Sequence, residues 1–426
     1  MKVFIKTFGC SLNHADSETM AYLLEKAGFS LVNSSEQAQV VIVNTCCVKA
    51  PTEDKVVHYV KKLDKYVVVT GCIPQVLPER LAGYTMVGTT QQKHIVEAVE
   101  ETVNGNTLVM LTPEEVPFES GVAHNPIIEI VPIARGCLGN CSYCIVKKTR
   151  GELKSYAPED IIKRIRKTRA KQVWLTAQDT GCYGLDIGSS LPELLDKVTR
   201  IPGNFLVRLG MLNPHYAWQY LEGLSRAFES GKLYQFIHIP VQSGNDDVLA
   251  LMKRNYTREL FIKLVASLRE RFPAMTIATD VICGFPGETP EAFNDTIDLI
   301  KQTKPEVVNI SRYWPRKGIE ALELDNQVEP ETGKDRSSRM NSTVEWTSYE
   351  AHKRWSKWKG TILIDEHGKD GSSIGHNYAY RPVIVEGRYP LGTRLNVQVV
   401  QFTQHDLRAR VISEVRGGVQ PYRLDS

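Results

Sequence analysis

The sequence lacks the features of a membrane or exported protein. No apolar run in its 426 residues reaches the roughly 18 positions needed to span a bilayer. The first residues, MKVFIKTFGC, are typical of a strand and have neither the apolar region nor the cleavage site of a signal peptide. We therefore expect a cytoplasmic protein that has no membrane association.

The chain also has no large excess of charge, no internal repeat and no low-complexity tail. It carries 52 Lys and Arg against 49 Asp and Glu, which gives a formal net charge of +3. This weakly basic balance permits nucleic-acid binding but does not argue for it, so such binding has to be argued from local patches. The length and a hydrophobic content of 42% favour two or three globular domains.

The chain does have nine cysteines, which in a reducing compartment favour metal ligands or catalytic thiols over disulfides. Three of them follow the spacing Cys-x₃-Cys-x₂-Cys in RGCLGNCSYCIV, and we call Cys137, Cys141 and Cys144 the loop set. Three thiolates on a 4Fe–4S cube leave one iron free to bind a small molecule. Zinc is the alternative, but zinc motifs usually combine two cysteine pairs, and no second pair lies nearby.

Residues 1 to 111 alternate β-branched strands with amphipathic helices. The predicted strands are KVFIKTF, VVIVN, YVVVTG and YTMVG. This alternation indicates an α/β domain with a parallel sheet, in which functional groups gather at the carboxyl ends of the strands. Residues 112 to 126 contain three prolines and are interpreted as a linker.

A second strand–helix series begins at residue 127, and with a polar helical extension it reaches residue 358. Its predicted strands are IIEIVPIA, QVWLTA, FLVRLGM, YQFIHIPV, TIATDVICGF and EVVNISRY. These units favour a partial (β/α)₆ barrel that is open on one side. Residues 359 to 420 differ, because TILIDEH, YRPVIVEG, RLNVQVVQFT and LRARVISEV predict a small all-β domain.

Three further cysteines each follow a predicted strand of the first domain, and we call Cys10, Cys46 and Cys72 the sheet set. Because the carboxyl ends of parallel strands lie side by side, these thiols are expected to meet at one edge of the sheet. Gly9 and Gly71 would allow a close backbone approach around a cofactor. The sheet set therefore suits a second three-thiolate cluster, and the alternative is a group of ordinary buried cysteines.

The remaining cysteines receive no ligand role. Cys47 is expected to point away from Cys46 if the local backbone is extended. Cys182 and Cys283 have no evident partners and are interpreted as packing residues.

Both cysteine sets, with other motifs in the same order, resemble the methylthiotransferase family of radical S-adenosylmethionine (SAM) enzymes. The motifs are NTC at 44–46, RGCxxxCxYC at 135–144, RG at 150–151 with Ser155, DTGCYG at 179–184, HIPVQSG at 238–244 and DVICGFPGET at 280–289. The resemblance covers nearly the whole chain and implies a methylthiotransferase domain, a radical SAM core and a C-terminal TRAM RNA-binding domain. It also implies two 4Fe–4S clusters, one that cleaves SAM on the loop set and an auxiliary one on the sheet set.

The resemblance implies SAM contacts at the carboxyl ends of the barrel strands. The candidate SAM contacts are Gln178, Asp179, His238, Gln242, Ser243, Ile282, Gly284, Gly287 and Glu288. No residue is assigned as a general acid or base, because the clusters and SAM carry the chemistry. The implied reaction uses one SAM as methyl donor and another as radical source, with electrons from a flavodoxin- or ferredoxin-like donor.

Local basic patches favour RNA as the substrate. The candidate RNA contacts are Lys353, Arg354, Lys357, Lys359, Arg408 and Arg410. The first four alternate with Trp355 and Trp358, and basic groups beside aromatic rings suit phosphates and stacked bases. An equally open interpretation is a connector whose tryptophans pack on the β domain. In addition, Lys147, Lys148 and Arg150 are expected to line the barrel opening.

The family divides by substrate, and the segments GCLGNCSYCIVKKTRG, QDTGCYG and GMLNPHY look most like its archaeal and eukaryotic tRNA branch. That branch converts N6-threonylcarbamoyladenosine beside the anticodon into its 2-methylthio derivative. The run YWPRKGIEA departs from the Pro-Arg-Pro-Gly-Thr run that is common in relatives. The alternatives are isopentenyladenosine in tRNA, a ribosomal-protein aspartate, or a non-catalytic Fe–S or zinc RNA-binding protein. A monomer is expected.

Overall fold

The computed structural model describes residues 1–47, 50–119 and 121–415. They form an N-terminal parallel sheet, an open series of parallel strands with outer helices, and a closed C-terminal barrel. Among these residues, no helix is long and apolar enough to cross a membrane.

The N-terminal sheet has the parallel strand order β2-β1-β3-β4-β5-β6. Its strands are β1 (Lys2–Thr7), β2 (Ser30–Leu31), β3 (Val40–Thr45), β4 (Tyr66–Gly71), β5 (Thr85–Val87) and β6 (Val109–Met110). Its helices are α1 (Ser11–Lys26), α2 (Ala50–Lys62), α3 (Cys72–Val76) and α4 (Ile95–Val103). Strand β3 is buried throughout, because Val41 and Val43 face one core cluster while Val40 and Ile42 face another. The predicted parallel sheet is confirmed, and the two-residue edge strands β2 and β6 are additions too short to show a sequence pattern.

The central region contains the strands expected for the partial barrel. Its strands are β7 (Ile128–Pro132), β8 (Ala134–Arg135), β9 (Lys154–Ser155), β10 (Gln172–Thr176), β11 (Leu206–Leu209), β12 (Phe236–His238), β13 (Thr276–Cys283) and β14 (Val307–Arg312). Strands β7, β10 and β11 pair in parallel, as do β12, β13 and β14, and a bridge from Val207 to Leu233 joins the two halves. The short strands β8 and β9 form a separate antiparallel pair.

Helices cover the outside of this region. They are α5 (Val146–Arg150), α6 (Pro158–Lys167), α7 (Leu191–Thr199), α8 (Pro214–Gln219), α9 (Leu221–Glu229), α10 (Asp246–Leu251), α11 (Arg258–Arg271), α12 (Pro290–Thr303) and α13 (Pro330–His352). Helix α12 begins as the Thr289-Pro290 pair predicts, because the Thr289 hydroxyl accepts a hydrogen bond from the Ala292 N–H at 3.2 Å.

The C-terminal strands close into a barrel in the order β15-β16-β17-β19-β18. They are β15 (Lys359–His367), β16 (Ser373–His376), β17 (Pro382–Val385), β18 (Arg394–Phe402) and β19 (Leu407–Glu414). The predicted all-β domain is confirmed. Strand β16 was missed because its four residues, SIGH, show no run of β-branched side chains. Residues 416–420 of the predicted domain lie outside the described residues.

One arginine docks this barrel onto the central strands. The Arg208 guanidinium lies 5.0 Å from the Trp174 ring, 4.9 Å from the Phe236 ring and 5.1 Å from the Tyr380 ring. Trp174, Arg208 and Phe236 come from β10, β11 and β12, whereas Tyr380 belongs to the C-terminal barrel. These cation–π contacts fix the orientation of the barrel against the central strands.

The segment predicted as a linker has no helix or strand in its described residues, 112–119 and 121–126. Glu18 of α1 holds this segment, because its backbone carbonyl accepts from the Val122 N–H at 3.0 Å and its carboxylate from the His124 N–H at 3.1 Å. Only 4% of Glu18 is exposed. Burial raises the pKa of its carboxyl to about 7, despite the opposing effect of the His124 hydrogen bond.

Glu18→Gln is expected to remove a pH dependence of stability. The folded-state pKa of about 7 lies above the ordinary 4.5, so the folded protein binds the proton more tightly and the wild type loses stability as the pH rises from 4.5 to 7. Glutamine keeps an acceptor for the His124 N–H without a charge. The melting temperatures should match near pH 4.5, and the variant should be more stable at pH 8 by roughly 3 kcal/mol.

The control is Glu25→Gln, which changes an exposed carboxylate on the same helix and should track the wild type at both pH values. If Glu18→Gln also tracked the wild type at pH 8, the burial penalty on Glu18 would be refuted.

Candidate active site

The loop between strand β8 and helix α5 carries the three thiols of the loop set. The Gly139 N–H donates to the Cys137 sulfur at 3.2 Å, and Arg254 Nη1 lies 3.3 Å from Cys141 Sγ. A Cβ on Gly139 would lie 3.4 Å from the Cys137 sulfur and 3.7 Å from the Cys141 sulfur, so both thiols flank the same residue. Burial and then the neighbouring Cys141 thiol raise the pKa of Cys144 to about 12.

Only glycine fits at the start of this loop. Gly136 has a φ of 69°, and a Cβ there would stand 1.9 Å from the carbonyl oxygen of Glu152. The Cys137 N–H also donates to the Gly151 carbonyl at 3.3 Å. The backbone therefore closes the cysteine loop against the residues that follow α5.

The thiols of the sheet set lie at the carboxyl ends of neighbouring strands. Cys10 follows β1, Cys46 follows β3 and Cys72 follows β4, and these strands are adjacent in the sheet. A Cβ on Gly9, whose φ is 123°, would lie 3.0 Å from the Cβ of Cys46. This crowding brings the first two strand ends together, and the close approach of Gly9 and Gly71 around a cofactor stays a prediction.

Two buried side chains connect the members of the sheet set. Asn13 Oδ1 lies 3.4 Å from Cys10 Sγ and accepts a hydrogen bond from Arg150 Nη2 at 3.0 Å. Arg150 Nη2 also lies 3.9 Å from Cys72 Sγ. The Asn13 amide in turn donates to the Thr45 carbonyl at 2.8 Å, next to Cys46. Asn13 and Arg150 therefore hold the three strand ends in one arrangement.

Arg150 also ties the N-terminal sheet to the central region through a buried carboxylate. Asp16 of α1 accepts from Arg150 Nη1 at 2.5 Å and from Arg135 Nη2 at 2.6 Å. The side chains of Asp16 and Arg150 are each only 3% exposed. Arg150 was expected to line the barrel opening together with Lys147 and Lys148, and this was wrong because the guanidinium is buried against Asp16 and Asn13.

Asp16→Ala should destabilise the protein strongly. The change would leave Arg135 and Arg150 without their carboxylate, and removing one partner of a buried ion pair typically costs about 3–5 kcal/mol. We expect the melting temperature to fall by several degrees. Asp196→Ala is the control, because Asp196 pairs with Arg200 on an exposed helix surface and such pairs contribute less than about 1 kcal/mol. Equal melting temperatures of the two variants would contradict the role given to Asp16.

A cavity of about 340 Å³ opens beside the loop set, and we call it the barrel cavity. It is lined by Cys144 and by three of the predicted SAM contacts, His238, Gln242 and Ile282. Gln242 has a φ of 68°, a backbone conformation that residues other than glycine rarely adopt. Such strained residues are found most often at functional sites. The three residues remain predictions as SAM contacts, and the structure places them on one wall.

Asp280 organises this wall, and sequence reasoning did not single it out. Its Oδ1 lies 2.9 Å from His238 Nε2 and accepts from Asn309 Nδ2 at 2.8 Å. The three residues come from β13, β12 and β14, so one carboxylate connects three adjacent strands. The only signal available was its position in the motif DVICGFPGET, whose glycines drew attention instead.

The other predicted SAM contacts lie away from the lining of the barrel cavity. Ser243 is fully buried and lies 3.4 Å from the Thr296 hydroxyl of α12. Glu288 is 3% exposed and accepts from the Gly284 N–H and from Arg336 Nη1, each at 2.7 Å. Burial raises the pKa of Glu288. Glu288 thus braces the glycine-rich loop and Ser243 packs against α12, and their role toward SAM stays a prediction.

The remaining predicted SAM contacts are Gly287, Gln178 and Asp179. The Gly287 N–H donates to the Asn326 carbonyl at 2.9 Å. Asp179 Oδ1 accepts from the N–H groups of Gly181 at 2.9 Å and Asn213 at 3.1 Å, and burial raises the pKa of its carboxyl. Gln178 Oε1 is buried without a hydrogen-bond partner in the described residues. Gln178 is thus an acceptor still available to a ligand, whereas Asp179 shapes the local backbone.

Two cysteines without assigned ligand roles lie against the two sets. The Cys47 thiol is hydrogen bonded with the Cys72 sulfur, which lowers the pKa of Cys72 to about 6. The Cys182 thiol lies beside Cys137 and lowers its pKa. The expectation that Cys47 points away was wrong because the strand ends at Thr45, so strand alternation no longer applies. Cys283 packs in the core as expected.

The predicted RNA contacts lie on or near the C-terminal barrel. Lys357, Lys359, Arg408 and Arg410 are exposed, whereas Arg354 donates to Glu306 Oε1 at 2.6 Å and to the Pro273 carbonyl at 2.7 Å. Lys353 pairs with Glu350. These assignments stay predictions. The open question about the tryptophans is resolved in favour of packing, because Trp355 is 2% exposed in the barrel core and meets Trp358 edge-on at 5.5 Å.

The donor chemistry of both sets fits iron–sulfur clusters. All six side chains are thiols, and soft thiolate ligands select iron–sulfur clusters, zinc or copper(I) over hard cations. The buried Arg150 lies beside the sheet set and the half-buried Arg254 beside the loop set, and both would balance the negative charge of a thiolate-bound cluster. In the described part of the chain, no three His, Cys, Asp or Glu side chains are already grouped to hold a single metal ion.

Comparison with known families matches each region of the fold. Residues 2–89 match the uncharacterized protein family UPF0004, residues 131–300 the radical SAM superfamily and residues 360–412 the TRAM domain. A probable threonylcarbamoyladenosine tRNA methylthiotransferase of Pyrococcus abyssi is 40% identical, over 90% of this chain and 93% of that protein. The chain belongs to the threonylcarbamoyladenosine tRNA methylthiotransferase family. Members named in this way from Drosophila melanogaster and Homo sapiens are 38% and 34% identical over 97% of this chain, and the matches cover 78% and 75% of those proteins.

The fold of the chain is also similar to that of more distantly related solved structures. The radical SAM methyltransferase TsrM from Kitasatospora setae aligns with a TM-score of 0.54 at 15% identity, covering 73% of this chain and 74% of that one. The radical SAM enzyme OxsB aligns with a TM-score of 0.51 at 11% identity, covering 92% of this chain and 64% of that one. The partial barrel is therefore a radical SAM fold, and the chain is an enzyme that uses SAM and an iron–sulfur cluster.

Proposed function

We propose that this enzyme inserts a methylthio group at C2 of N6-threonylcarbamoyladenosine in tRNA, using SAM and two 4Fe–4S clusters. The loop set would hold the cluster that cleaves SAM, and the sheet set would hold the auxiliary cluster. The names of the archaeal and animal relatives support the substrate, and the TRAM match supports RNA binding. A flavodoxin- or ferredoxin-like electron donor, a monomeric state and a cytoplasmic location remain predictions.

The observation that carries the proposal is a second cavity, of about 580 Å³, between the N-terminal sheet and the central strands. We call it the junction cavity. Gln75 and Val76 line it from α3, the helix that begins at Cys72. Ile145 and Lys148 line it from the segment that follows Cys144. One cavity is thus lined by residues that closely follow Cys72 and Cys144 in the chain, and this placement supports a reaction that uses two clusters on one substrate.

The junction cavity and the barrel cavity share wall residues, Ile145 and Arg316. A base that enters the junction cavity would therefore lie next to the cavity that contains His238 and Gln242. When bound, SAM and the clusters would supply the radical and methylthio-transfer chemistry, with electrons from the separate donor. The chain's own contribution is to exclude water and to hold the base in one orientation, since Asp280 fixes His238 and the backbone of Gln242 bridges to β13.

Iron content separates the two proposed clusters. Anaerobically reconstituted wild type should contain about eight irons per chain, and the triple alanine variant of Cys10, Cys46 and Cys72 about four. That variant should still release 5′-deoxyadenosine from SAM with a reductant but should form no methylthio product. The triple alanine variant of the loop set should also keep about four irons but release no 5′-deoxyadenosine.

Cys283→Ala is the matched control, because Cys283 packs in the core, and it should keep both the iron and the activity. If the sheet-set variant retained the iron content of the wild type, the auxiliary cluster would be rejected. If the reconstituted wild type bound zinc and no iron, the non-catalytic alternative would replace the proposal.

A further inference from the structure

Arg254 is anchored beside the loop set by contacts that hold its guanidinium in one position. Its Nη2 donates to the Pro240 carbonyl at 3.2 Å, and its Nε donates to the Tyr256 hydroxyl oxygen at 3.0 Å. The guanidinium also lies 5.0 Å from the centre of the Tyr256 ring, at cation–π distance. The remaining nitrogen, Nη1, lies 3.3 Å from the Cys141 sulfur. Arg254 is thus aimed at one thiol of the loop set.

The backbone that carries Arg254 is fixed by the end of helix α10. The Lys253 N–H donates to the Ala250 carbonyl and the Arg254 N–H to the Leu249 carbonyl, each at 2.9 Å, which is a Schellman motif. Lys253 occupies the left-handed position of this motif with a φ of 55°, where glycine is usual. A lysine persists in this disfavoured conformation only where the surrounding structure holds it, so the turn is well determined.

The cysteine loop is hydrogen bonded to the same turn. Ser142 directly follows Cys141 and is buried. Its N–H donates to the Met252 carbonyl at 3.2 Å, and its hydroxyl donates to the Leu251 carbonyl at 2.7 Å. Backbone contacts on both sides therefore set the distance between Arg254 and Cys141.

The positive charge of Arg254 acts on the loop set because its anchors are neutral. A carbonyl oxygen and a phenol oxygen accept its hydrogen bonds without compensating its charge, and a guanidinium stays protonated in proteins. The Gly139 N–H, which donates to the Cys137 sulfur, is a neutral donor. Within the described residues, Arg254 is the one charged side chain that is hydrogen bonded to a thiol of this set.

Hydrogen bonds to the sulfurs and nearby charge set the reduction potential of an iron–sulfur cluster. Reduction adds one negative charge to the cluster, and a cation in contact with a ligand sulfur stabilises that charge. Arg254 therefore lies where it would favour the reduced state of a cluster on the loop set.

We propose that Arg254 raises the reduction potential of the loop-set cluster through its contact with the Cys141 sulfur. The inference rests on the proposed function, in which one electron passes from the donor through this cluster to SAM. That electron breaks the C5′–S bond of SAM and gives methionine and a 5′-deoxyadenosyl radical. Arg254 contacts a cluster ligand and not the substrate, so it is a positioning residue that sets how readily the donor supplies the electron.

The test measures the midpoint potential of the loop-set cluster in a redox titration followed by electron paramagnetic resonance, without SAM. The parent is the full chain with alanine in place of Cys10, Cys46 and Cys72, so that only this cluster is titrated. Arg254→Gln should make the midpoint more negative. At the midpoint of the parent, the ratio of reduced to oxidised cluster should fall roughly tenfold, which corresponds to about 59 mV for one electron. Arg254→Lys should shift the midpoint less, because lysine keeps the charge but loses the planar fork.

Arg258→Gln is the matched control. Arg258 lies four residues further along the chain, and its Nη1 donates to the Gly244 carbonyl at 3.2 Å and to the Asp295 carbonyl at 2.9 Å. Its midpoint should equal that of the parent. Each variant should hold about four irons per chain and melt within a few degrees of the parent, which shows that it is folded. If Arg254→Gln held no iron, Arg254→Lys would carry the test.

Three outcomes would overturn the inference. An unchanged midpoint in Arg254→Gln would leave Arg254 as a brace for Pro240 and Tyr256 only. An equal shift in Arg258→Gln would assign the effect to the overall charge and not to the sulfur contact. A shift that appears only after SAM is added would place the action of Arg254 on SAM.

Failure of the proposed function is a separate result. It would appear in the parent itself, which would then hold no four-iron cluster and release no 5′-deoxyadenosine from SAM with a reductant.

Discussion

The relation between the two cysteine sets depends on one buried carboxylate. Asp16 lies on α1, the helix that begins directly after Cys10, and it binds Arg150 at the end of α5, the helix that follows Cys144. Arg150 in turn contacts the Cys72 sulfur. In a low-dielectric interior this carboxylate and its two arginines are strongly coupled, because each charge would be costly if left alone. The same contact therefore orients the N-terminal sheet on the central strands and fixes the two sets relative to each other.

Other contacts join the three regions of the chain on either side of the Asp16–Arg150 ion pair. Glu18, two residues further along α1, holds the segment that leads into β7, and Arg316 connects the segment after β14 to α2. On the far side, Arg208 locks the C-terminal barrel onto β10, β11 and β12 through aromatic rings. Buried or half-buried charged side chains thus occur at each boundary between regions, where they fix the relative orientation of the regions.

The fold and the cysteine sets could be predicted from the sequence because both follow local rules. β-branched runs mark strands such as β3, and cysteines directly after such runs must lie at the carboxyl edge of the sheet. Arg150 was misplaced because a basic residue after a surface loop is normally exposed, and only the approach of Asp16, 134 residues away, buries it. The position of Cys47 was also wrong, since nothing in NTCCV shows that the strand ends one residue before Cys46. Asp280 and Arg316 were missed for the same reason, because their importance depends on partners that are distant in sequence.

The most direct test of the central claim is nucleoside mass spectrometry of tRNA from cells that lack this protein and from the same cells with the protein restored. We expect 2-methylthio-N6-threonylcarbamoyladenosine to be absent from the cells that lack the protein and present in the cells with the protein restored. The unmethylthiolated precursor should accumulate in the cells that lack the protein. Loss of the isopentenyl counterpart instead would retain the chemistry and overturn the substrate. An unchanged set of tRNA nucleosides would contradict the account and direct attention to a ribosomal protein.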